Sequence, residues 1–384
     1  MGGQPVVIVG SGLAGYTLAR EFRKLDSATP LVILSADHGG FYSKPMLSNA
    51  CAQKKSADAL LAKSAAQMAQ ELNAEIVGQA KVTAIDTQRK VLTVNGVQRG
   101  YSKLVLALGA DPVRLPLQGN AADAVLSVND LDDYRRFRNA IEGKKDVTIL
   151  GAGLIGCEFA NDLVTAGLNV HVIDLAPQLL GRLLPTEAAA FMQHKLEAAG
   201  IDFHLGTSTQ LLEQDNERIK VSLSNGEIIF CDVVLSAVGL RPRTELAAAA
   251  GIKINRGIVV NASLQTSCED IYALGDCAEV EGRVLPFVMP IMHAARALAP
   301  TLAGKLTQVS YPAMPVAVKT PACPATVLPP EPGASGEWRV DAAEDGIKAL
   351  FQGVDGKLLG FALLGTSVTE KNALIQSLAL KQSA

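Results

Sequence analysis

Residues 5–37 read PVVIVGSGLAGYTLAREFRKLDSATPLVILSAD, and this stretch decides the fold. An apolar, β-branched run at Val6–Val9 leads into a glycine loop, an amphipathic stretch reaches about Lys24, and a second apolar run follows at Leu31–Leu34. The order of strand, loop, helix and strand predicts a βαβ unit.

The loop of this unit has the spacing G-x-G-x-x-G at Gly10, Gly12 and Gly15, and Asp37 follows the second strand. The first glycine permits a tight turn, the second lets the backbone approach a pyrophosphate, and the third lets the helix pack closely on the strand. The start of a helix also attracts phosphate charge. The unit therefore predicts a dinucleotide-binding site, with the acid on a ribose.

A second unit of the same design occupies residues 146–174, DVTILGAGLIGCEFANDLVTAGLNVHVID. Its loop carries Gly151, Gly153 and Gly156, and Asp174 ends the following strand. The chain thus contains an internal duplication, which predicts two bound dinucleotides. A carboxylate at this place accepts from the 2′-hydroxyl of NADH and repels the 2′-phosphate of NADPH, so the second site favours NADH.

Composition bounds the remaining possibilities. A chain of 384 residues is too long for one core, and 35 Lys and Arg against 38 Asp and Glu leave a net charge of −3, which argues against nucleic acid or a membrane surface as the main partner. We find no run of 18 apolar residues and no basic leader, so we expect no membrane insertion and a cytoplasmic location. The cysteines lack metal-ligand spacing, so we expect no metal and mostly buried thiols: Cys51, Cys157, Cys231, Cys268, Cys277 and Cys323.

The rest of the chain is rich in short strands and turns. We predict strands at residues 90–97, 104–108, 218–223, 233–238 and 258–260. A proline-rich passage at 311–332 precedes strands at 348–354 and 357–364, joined at Asp355-Gly356 and followed by a helix. This segment predicts a third domain.

Three further motifs resemble segments of the FAD-dependent pyridine nucleotide-disulfide oxidoreductase superfamily, and the likeness covers nearly the whole chain. They are LVLALGADPVRLP at 104–116, VVLSAVGLRPRTEL at 233–246 and TSCEDIYALGDCAE at 266–279. Gly239 and Pro242 are in register with the family's G-x-x-P segment, and Asp276 matches the aspartate that binds the flavin ribitol. Leu108 departs from the pattern, since a small or hydroxyl residue is usual there.

The resemblance implies an α/β fold with two Rossmann-like FAD/NAD(P)-binding domains, glutathione-reductase-like, and a small α+β C-terminal domain. The FAD domain would be discontinuous, at 1–113 and 240–318, with the NAD(H) domain at 114–239 and the C-terminal domain at 319–384. The first glycine loop would then bind FAD and the second NADH.

The resemblance also implies the residues of both cofactor sites. The backbone of Val82 would meet the adenine, and a helix beginning near Val288, Met289 and Pro290 would face the flavin pyrimidine edge. The implied FAD site comprises Gly10, Ser11, Gly12, Leu13, Ala14, Gly15, Ser35, Asp37, Lys44, Pro45, Val82, Gly109, Glu158, Asp276, Val288 and Lys319. The implied NAD site comprises Gly151, Gly153, Leu154, Ile155, Gly156, Asp174 and Gly239.

The segment FYSKPMLSNAC at 41–51 separates subgroups of the family. Disulfide reductases carry a cysteine pair or a flavin-adjacent cysteine at this point, whereas Cys51 lies beyond the lysine-proline step and is interpreted as structural. The segment resembles the Y-x-[RK]-P-x-L-S signature of oxygenase-coupled ferredoxin reductases, and its lysine is similar to rubredoxin and flavorubredoxin reductases. Lys44 would lie at the flavin ring, paired with Glu158, and both are candidate catalytic residues.

The implied activity is transfer of electrons from NADH through FAD to rubredoxin, with alkane hydroxylation as the pathway served. Because rubredoxins are acidic, we expect a basic rim of Lys44, Arg114 and Lys319 to steer a transient complex. His293 is either a proton donor or a packed helix residue. The alternatives are an NADH oxidase, a peroxidase or a coenzyme A-disulfide reductase, a ferredoxin reductase, and a redox-sensing flavoprotein like apoptosis-inducing factor.

Overall fold

The computed structural model of the chain describes residues 3–382. The α-helices are α1 (Leu13–Arg23), α2 (Ala57–Leu60), α3 (Ala65–Leu72), α4 (Leu131–Ala140), α5 (Leu154–Thr165), α6 (Thr186–Ala198), α7 (Glu245–Ala249), α8 (Val288–Leu302) and α9 (Lys371–Gln382). Short 3₁₀ helices lie at Lys44–Asn49, Ala122–Ala124, Gly275–Cys277 and Thr366–Glu370. Within the described range, no helix is both long enough and apolar enough to cross a membrane.

The strands are short and numerous. They are β1 (Val6–Val9), β2 (Leu31–Leu34), β3 (Phe41–Tyr42), β4 (Leu61–Lys63), β5 (Glu75–Val77), β6 (Val82–Asp86), β7 (Val91–Val94), β8 (Val97–Gly100), β9 (Lys103–Leu106), β10 (Ala110–Pro112), β11 (Asp146–Leu150), β12 (Asn169–Asp174), β13 (Ile201–Leu205), β14 (Thr209–Asp215), β15 (Arg218–Leu223), β16 (Ile228–Cys231), β17 (Val233–Ser236), β18 (Leu240–Pro242), β19 (Ile258–Val260), β20 (Ile271–Ala273), β21 (Ala278–Val280), β22 (Val316–Val318), β23 (Ala325–Leu328), β24 (Gly336–Ala343), β25 (Gly346–Gly353) and β26 (Leu358–Gly365).

The chain divides into two compact units. The first comprises Met1–Lys44, Asp58–Asp111 and Leu240–Tyr311, and the second comprises Pro45–Ala57, Pro112–Gly239 and Pro312–Ala384. The chain thus leaves the first unit at Asp111 and returns to it at Leu240, where the sequence predicted domain breaks after residues 113 and 239.

The first unit is built on a five-stranded sheet in the order β20-β9-β1-β2-β5. Every pairing within this sheet is parallel, and all four residues of β1 are buried. A strand that is covered on both faces reads as a continuous apolar run, which is why VVIV at Val6–Val9 predicts its position. Helices α1 and α8 pack against each other beside this sheet.

One strand expected in the first unit is wrong. Residues 90–97 form no single strand, because β7 ends at Val94 and β8 begins at Val97 in an antiparallel hairpin. Asn95 and Gly96 turn the chain with φ of 48° and 82°. An Asn-Gly pair takes positive φ at both positions readily, so it ends the strand despite the apolar pattern on either side.

The second unit repeats the parallel design and adds antiparallel layers. Its central sheet has the order β13-β12-β11-β17, entirely parallel, and β14-β15-β16 form an antiparallel meander. The C-terminal segment of this unit forms a five-stranded antiparallel sheet in the order β22-β23-β26-β25-β24, followed by α9. The two parallel sheets and this small sheet confirm the predicted α/β fold with two Rossmann-like units and an α+β C-terminal part.

The hairpin predicted at Asp355-Gly356 is present in the C-terminal sheet. Strands β25 and β26 pair antiparallel on either side of it, and Gly356 has a φ of 74°. Sequence analysis missed β22, β23 and β24. Six of the eight residues of β24 are exposed, so this edge strand carries little of the apolar pattern from which strands are predicted.

Candidate functional site

The first glycine loop can be made only of glycine at two of its three positions. Gly10 has a φ of +119°, and a Cβ there would lie 2.1 Å from the carbonyl oxygen of Ala107. A Cβ on Gly15 would lie 1.9 Å from the carbonyl oxygen of Gly10, where β1 and α1 approach each other. A Cβ on Gly12, by contrast, would meet nothing within 4 Å. The open side of the loop therefore lies at Gly12, just before α1 begins at Leu13, where a pyrophosphate fits.

Ser11, Ser35 and Asp37 come together beside this loop. The Ser35 hydroxyl lies 2.5 Å from Oδ1 of Asp37 and 2.5 Å from the Ser11 hydroxyl. The backbone N–H of Gly39 donates to the same Oδ1 at 2.8 Å. These bonds converge on one carboxylate oxygen, which leaves Oδ2 able to accept from a ribose hydroxyl.

Asp276 lies on the same side of the first unit. Gly275 has a φ of +79°, and a Cβ there would lie 2.8 Å from that of Ala14 in the first turn of α1, so the Gly275-Asp276 turn packs on the glycine loop. The Lys44 ammonium lies 3.9 Å from Oδ2 of Asp276. Two predicted flavin ligands from distant parts of the chain therefore meet at the start of α1.

Helix α8 begins at Val288, as the resemblance implied. The side chains of Val288 and Met289 are 41% and 44% exposed although both are apolar, while Pro290 and Ile291 are buried. An exposed apolar first turn at a helix N-terminus fits a planar ring whose charged edge faces the helix dipole. Among the other predicted FAD ligands, partly buried Val82 opens β6, and Gly109 has a φ of +73° with open space beside it.

The second glycine loop repeats the geometry of the first. Gly151 has a φ of +106°, and its Cβ would lie 2.7 Å from the carbonyl oxygen of Ala237. A Cβ on Gly156 would lie 1.8 Å from the carbonyl oxygen of Gly151, and one on Gly153 would meet nothing within 4 Å. The loop leads into α5 at Leu154, and Ile155 in its first turn is 42% exposed. A second pyrophosphate fits here for the same reasons.

Asp174 ends β12 beside this second loop. Its Oδ2 accepts from the backbone N–H of Ala152 at 2.6 Å, and its Oδ1 accepts from that of Ala176 at 2.8 Å. These bonds orient the carboxylate, whose remaining lone pairs can accept from a ribose hydroxyl. Gly239, the last predicted NAD ligand, has a φ of +118° and open space beside it.

Glu158 lies on α5, one turn beyond the second loop, with a side chain that is 1% exposed. Its Oε2 accepts from the Ser48 hydroxyl at 2.6 Å and lies 3.2 Å from the Lys319 ammonium. Its Oε1 accepts from the backbone N–H of Lys319 at 3.0 Å. The Lys319 ammonium also donates to the carbonyl of Pro45. The sequence suggested Lys44 as the partner of Glu158, whereas the contacts found in this unit are with Lys319 and Ser48.

Helix α5 carries two more buried polar residues that sequence reasoning missed. Asp162 accepts from the backbone N–H of Cys51 at 2.7 Å and from that of Ala52 at 3.0 Å, and burial raises its pKa. Asn161 accepts from the backbone N–H of Ala322 at 3.0 Å. Together with Glu158 these residues occupy positions i, i+3 and i+4 of one helix. That spacing was the available signal, because it gives an apolar helix a single polar face.

The cysteine in the 41–51 segment is structural, as predicted. Cys51 is 1% exposed, and burial raises the pKa of its thiol to about 11. The nucleophile of disulfide chemistry is the thiolate, which a thiol with this pKa does not supply near neutral pH. His293 is half-buried on α8, where burial and then Arg296 lower its pKa, so the ring is neutral at pH 7.

Two family models match the chain. Residues 4–300 match the pyridine nucleotide-disulphide oxidoreductase family, and residues 308–378 match a rubredoxin binding C-terminal domain. The two matches meet near the proline-rich passage that was predicted to separate the body of the chain from its last domain.

The chain is similar to named proteins over almost its whole length. It is 50% identical over 375 residues to the rubredoxin-NAD(+) reductase of Alcanivorax borkumensis, covering 97% of this chain and 98% of that protein. It is 48% identical over 382 residues to the rubredoxin-NAD(+) reductase of Acinetobacter baylyi, covering 97% of each. Among solved structures, a ferredoxin reductase from Rhodopseudomonas palustris superposes with a TM-score of 0.86 at 28% identity, covering 94% of this chain and 91% of that one.

Proposed function

The chain belongs to the pyridine nucleotide-disulphide oxidoreductase family, and we propose that it is an NADH-dependent flavoprotein that passes electrons from NADH through FAD to rubredoxin. One observation carries the proposal: a body with two glycine loops is followed, at residues 308–378, by a segment that matches a rubredoxin-binding domain. The reductases of Alcanivorax borkumensis and Acinetobacter baylyi have this function in their names.

The first unit is proposed to bind FAD, through the domain assigned to residues 1–113 and 240–318. The first turn of α1 would bind the pyrophosphate through its backbone N–H groups, and Asp37 would accept from the adenosine ribose. Asp276 would bind the ribitol chain, and Lys44 beside it would favour negative charge on the ring. FAD, when bound, accepts a hydride from NADH and supplies electrons one at a time to a one-electron acceptor.

The NADH site is proposed for residues 114–239. The loop of Gly151, Gly153 and Gly156 would hold the pyrophosphate, and Asp174 would select the unphosphorylated ribose of NADH. The side chains of this unit need no acid-base chemistry, since their work is to bind and orient the coenzyme. Glu158 supports this arrangement from α5 by fixing Lys319 and Ser48.

Rubredoxin is proposed to dock on the C-terminal domain assigned to residues 319–384. Charge alone does not explain that choice, because the matched segment 308–378 carries five Lys and Arg against seven Asp and Glu. Steering of an acidic partner would therefore depend on the basic rim of Lys44, Arg114 and Lys319. The cytoplasm is the proposed compartment, since all six cysteines are free thiols and five of them are buried.

The buried thiol at Cys51 argues against the rival disulfide and peroxide chemistries, which need a reactive thiolate beside the flavin. A ferredoxin reductase remains the nearest alternative. A redox-sensing flavoprotein like apoptosis-inducing factor would show slow reoxidation by any carrier.

Anaerobic stopped-flow mixing of the NADH-reduced, FAD-loaded protein tests the proposal. Rubredoxin and a [2Fe–2S] ferredoxin are compared as acceptors, with ferricyanide as a control for flavin competence. We expect rubredoxin to be reduced faster than ferredoxin, at a rate that falls as salt screens the basic rim. If ferricyanide is reduced but neither carrier protein is, the carrier-reductase function is wrong. Fast NADH oxidation in air without a carrier would favour the oxidase.

A further inference from the structure

Two histidines and an aspartate converge on one face of the central sheet in the second unit. His171 lies on β12, and Asp202 and His204 lie on the edge strand β13. The parallel register pairs His171 with Asp202 and Ile173 with His204, so alternate residues of both strands share this face. Nδ1 of His171, Nε2 of His204 and Oδ2 of Asp202 therefore meet at one point.

The three atoms are spaced as metal ligands are. Nδ1 of His171 lies 3.1 Å from Oδ2 of Asp202 and 3.3 Å from Nε2 of His204, and Nε2 of His204 lies 3.3 Å from the same carboxylate oxygen. Ligands about 2.0–2.1 Å from a tetrahedral zinc ion lie about 3.3–3.4 Å from one another. The observed triangle thus leaves room for such an ion with little rearrangement.

A fourth residue orients one of these ligands. Nδ1 of His204 lies 2.9 Å from Oε2 of Glu227, which follows the turn between β15 and β16. The hydrogen bond with His204 lowers the pKa of Glu227, so this carboxylate is ionised and accepts a proton from Nδ1. A neutral His204 held in this tautomer turns the lone pair of Nε2 toward the carboxylate of Asp202. Two acceptors then face each other, an arrangement that a cation at their meeting point relieves.

We propose that His171, Asp202 and His204 form a binding site for a divalent transition-metal ion of the Zn²⁺ class, with Glu227 as the outer carboxylate. Two imidazoles and one carboxylate are a ligand set that zinc takes, with a fourth position left for water. The site can be reached from solvent, because the side chains of His171, His204 and Asp202 are 27%, 16% and 60% exposed.

The position of the site indicates a structural role. The ligands bridge the edge strand β13 to β12, and Glu227 connects them to the meander. An ion that binds the folded arrangement and not the unfolded chain stabilises the fold by mass action. We therefore expect one equivalent of Zn²⁺ to raise the thermal unfolding midpoint of the FAD-loaded protein.

Titration of the metal-free, FAD-loaded protein with Co²⁺ and Zn²⁺ tests this site. We expect one equivalent of Co²⁺ to bind with the visible spectrum of nitrogen and oxygen ligands, and Zn²⁺ to displace it. X-ray absorption of the zinc form should show no sulfur in the first shell, since sulfur ligands would assign the ion to cysteines instead. Stoichiometric binding through sulfur, or no stoichiometric binding at all, overturns the proposal.

Variants separate this site from adventitious binding. His171→Ala and Asp202→Asn remove one ligand each and should abolish stoichiometric binding, and the exposed position of Asp202 makes its variant safe for folding. Glu227→Gln should weaken binding about 10- to 100-fold, as loss of an outer-shell carboxylate does. His194→Ala, on the exposed face of α6, is the matched control and should bind as the native chain does. Equal affinity in all four variants shows that the triad is a hydrogen-bonded cluster only.

Discussion

Lys319 binds Glu158 twice, through its backbone N–H at 3.0 Å and through its ammonium at 3.2 Å, although 161 residues separate the two in sequence. The carboxylate is 1% exposed and the lysine side chain 38% exposed. A buried carboxylate needs hydrogen bonds and a counter-charge to offset its desolvation. This pair therefore supplies what makes a charge on the inner face of α5 tolerable.

Replacing that carboxylate with its neutral isostere tests the pair. Glu158→Gln keeps the volume but loses the charge opposite Lys319 and the strong acceptor for Ser48, so we expect a loss of about 1–3 kcal/mol. Calorimetry of the FAD-loaded protein should show this as a lower unfolding midpoint. Glu370→Gln is the matched control, since its pair with Lys348 is exposed and worth about 0–1 kcal/mol. Equal shifts in the two variants would contradict a special role for Glu158.

The two open glycines allow FAD and NADH binding to be separated. Gly12 and Gly153 have φ of −71° and −77°, so alanine is compatible with the backbone at both, and its Cβ would point only into the space assigned to a pyrophosphate. We expect Gly12→Ala to weaken FAD binding by about tenfold or more, which corresponds to about 1.4 kcal/mol. Gly153→Ala should retain FAD and raise KM for NADH by a similar factor.

Flavin absorbance per mole of purified protein and steady-state kinetics with NADH measure these two effects. Each variant is the control for the other. The reverse outcome, FAD lost from Gly153→Ala and retained by Gly12→Ala, would exchange the cofactor assignments of the two loops. Gly15→Ala and Gly156→Ala should fail to fold normally, since each would place a Cβ within 2 Å of a backbone oxygen.

Asp174 is predicted to set the choice between NADH and NADPH. The native protein should have a kcat/KM for NADH well above that for NADPH, because the carboxylate repels a 2′-phosphate. Asp174→Asn should narrow this ratio while keeping an acceptor for one of the backbone N–H groups that the aspartate binds. Asp215→Asn, at an exposed position ending β14, should leave the ratio unchanged. Equal or better kcat/KM with NADPH for the native protein would rule out the NADH preference.

The buried thiols predict a loss of stability at alkaline pH. Burial raises the pKa of Cys51, Cys231, Cys277 and Cys323 from 9.0 to about 11. The folded state thus favours the neutral thiols, a contribution that is complete below about pH 9 and is lost as the pH rises toward about pH 11. We expect the unfolding midpoint to be nearly constant from about pH 7 to about pH 8.5 and to fall above about pH 9.

A single variant shows whether thiols cause this decline. Cys51→Ala should have a lower unfolding midpoint at neutral pH, because it leaves a small cavity, but a shallower decline at high pH. Differential scanning calorimetry across the pH series measures both quantities. A variant whose curve runs parallel to that of the native protein would exclude Cys51 as a source of the alkaline instability.

Local features of the sequence were enough to predict both βαβ units and the hairpin at Asp355-Gly356. Each depends on neighbours in the chain: an apolar run for a buried strand, glycines where a Cβ would collide with the backbone, and a turn residue between strands. The same local reasoning failed at residues 90–97, where the Asn95-Gly96 turn prevailed over the apolar pattern.

The sequence by itself therefore determined the fold class and the two glycine loops. Only the tertiary structure joined Lys319 to Glu158, placed Asp276 beside Lys44, and gathered His171, Asp202 and His204 into one cluster. The reason is physical. A glycine loop is specified by steric conditions within a few residues, whereas these contacts depend on which strands pair in which register and which helix face is buried, and many distant residues fix those choices together.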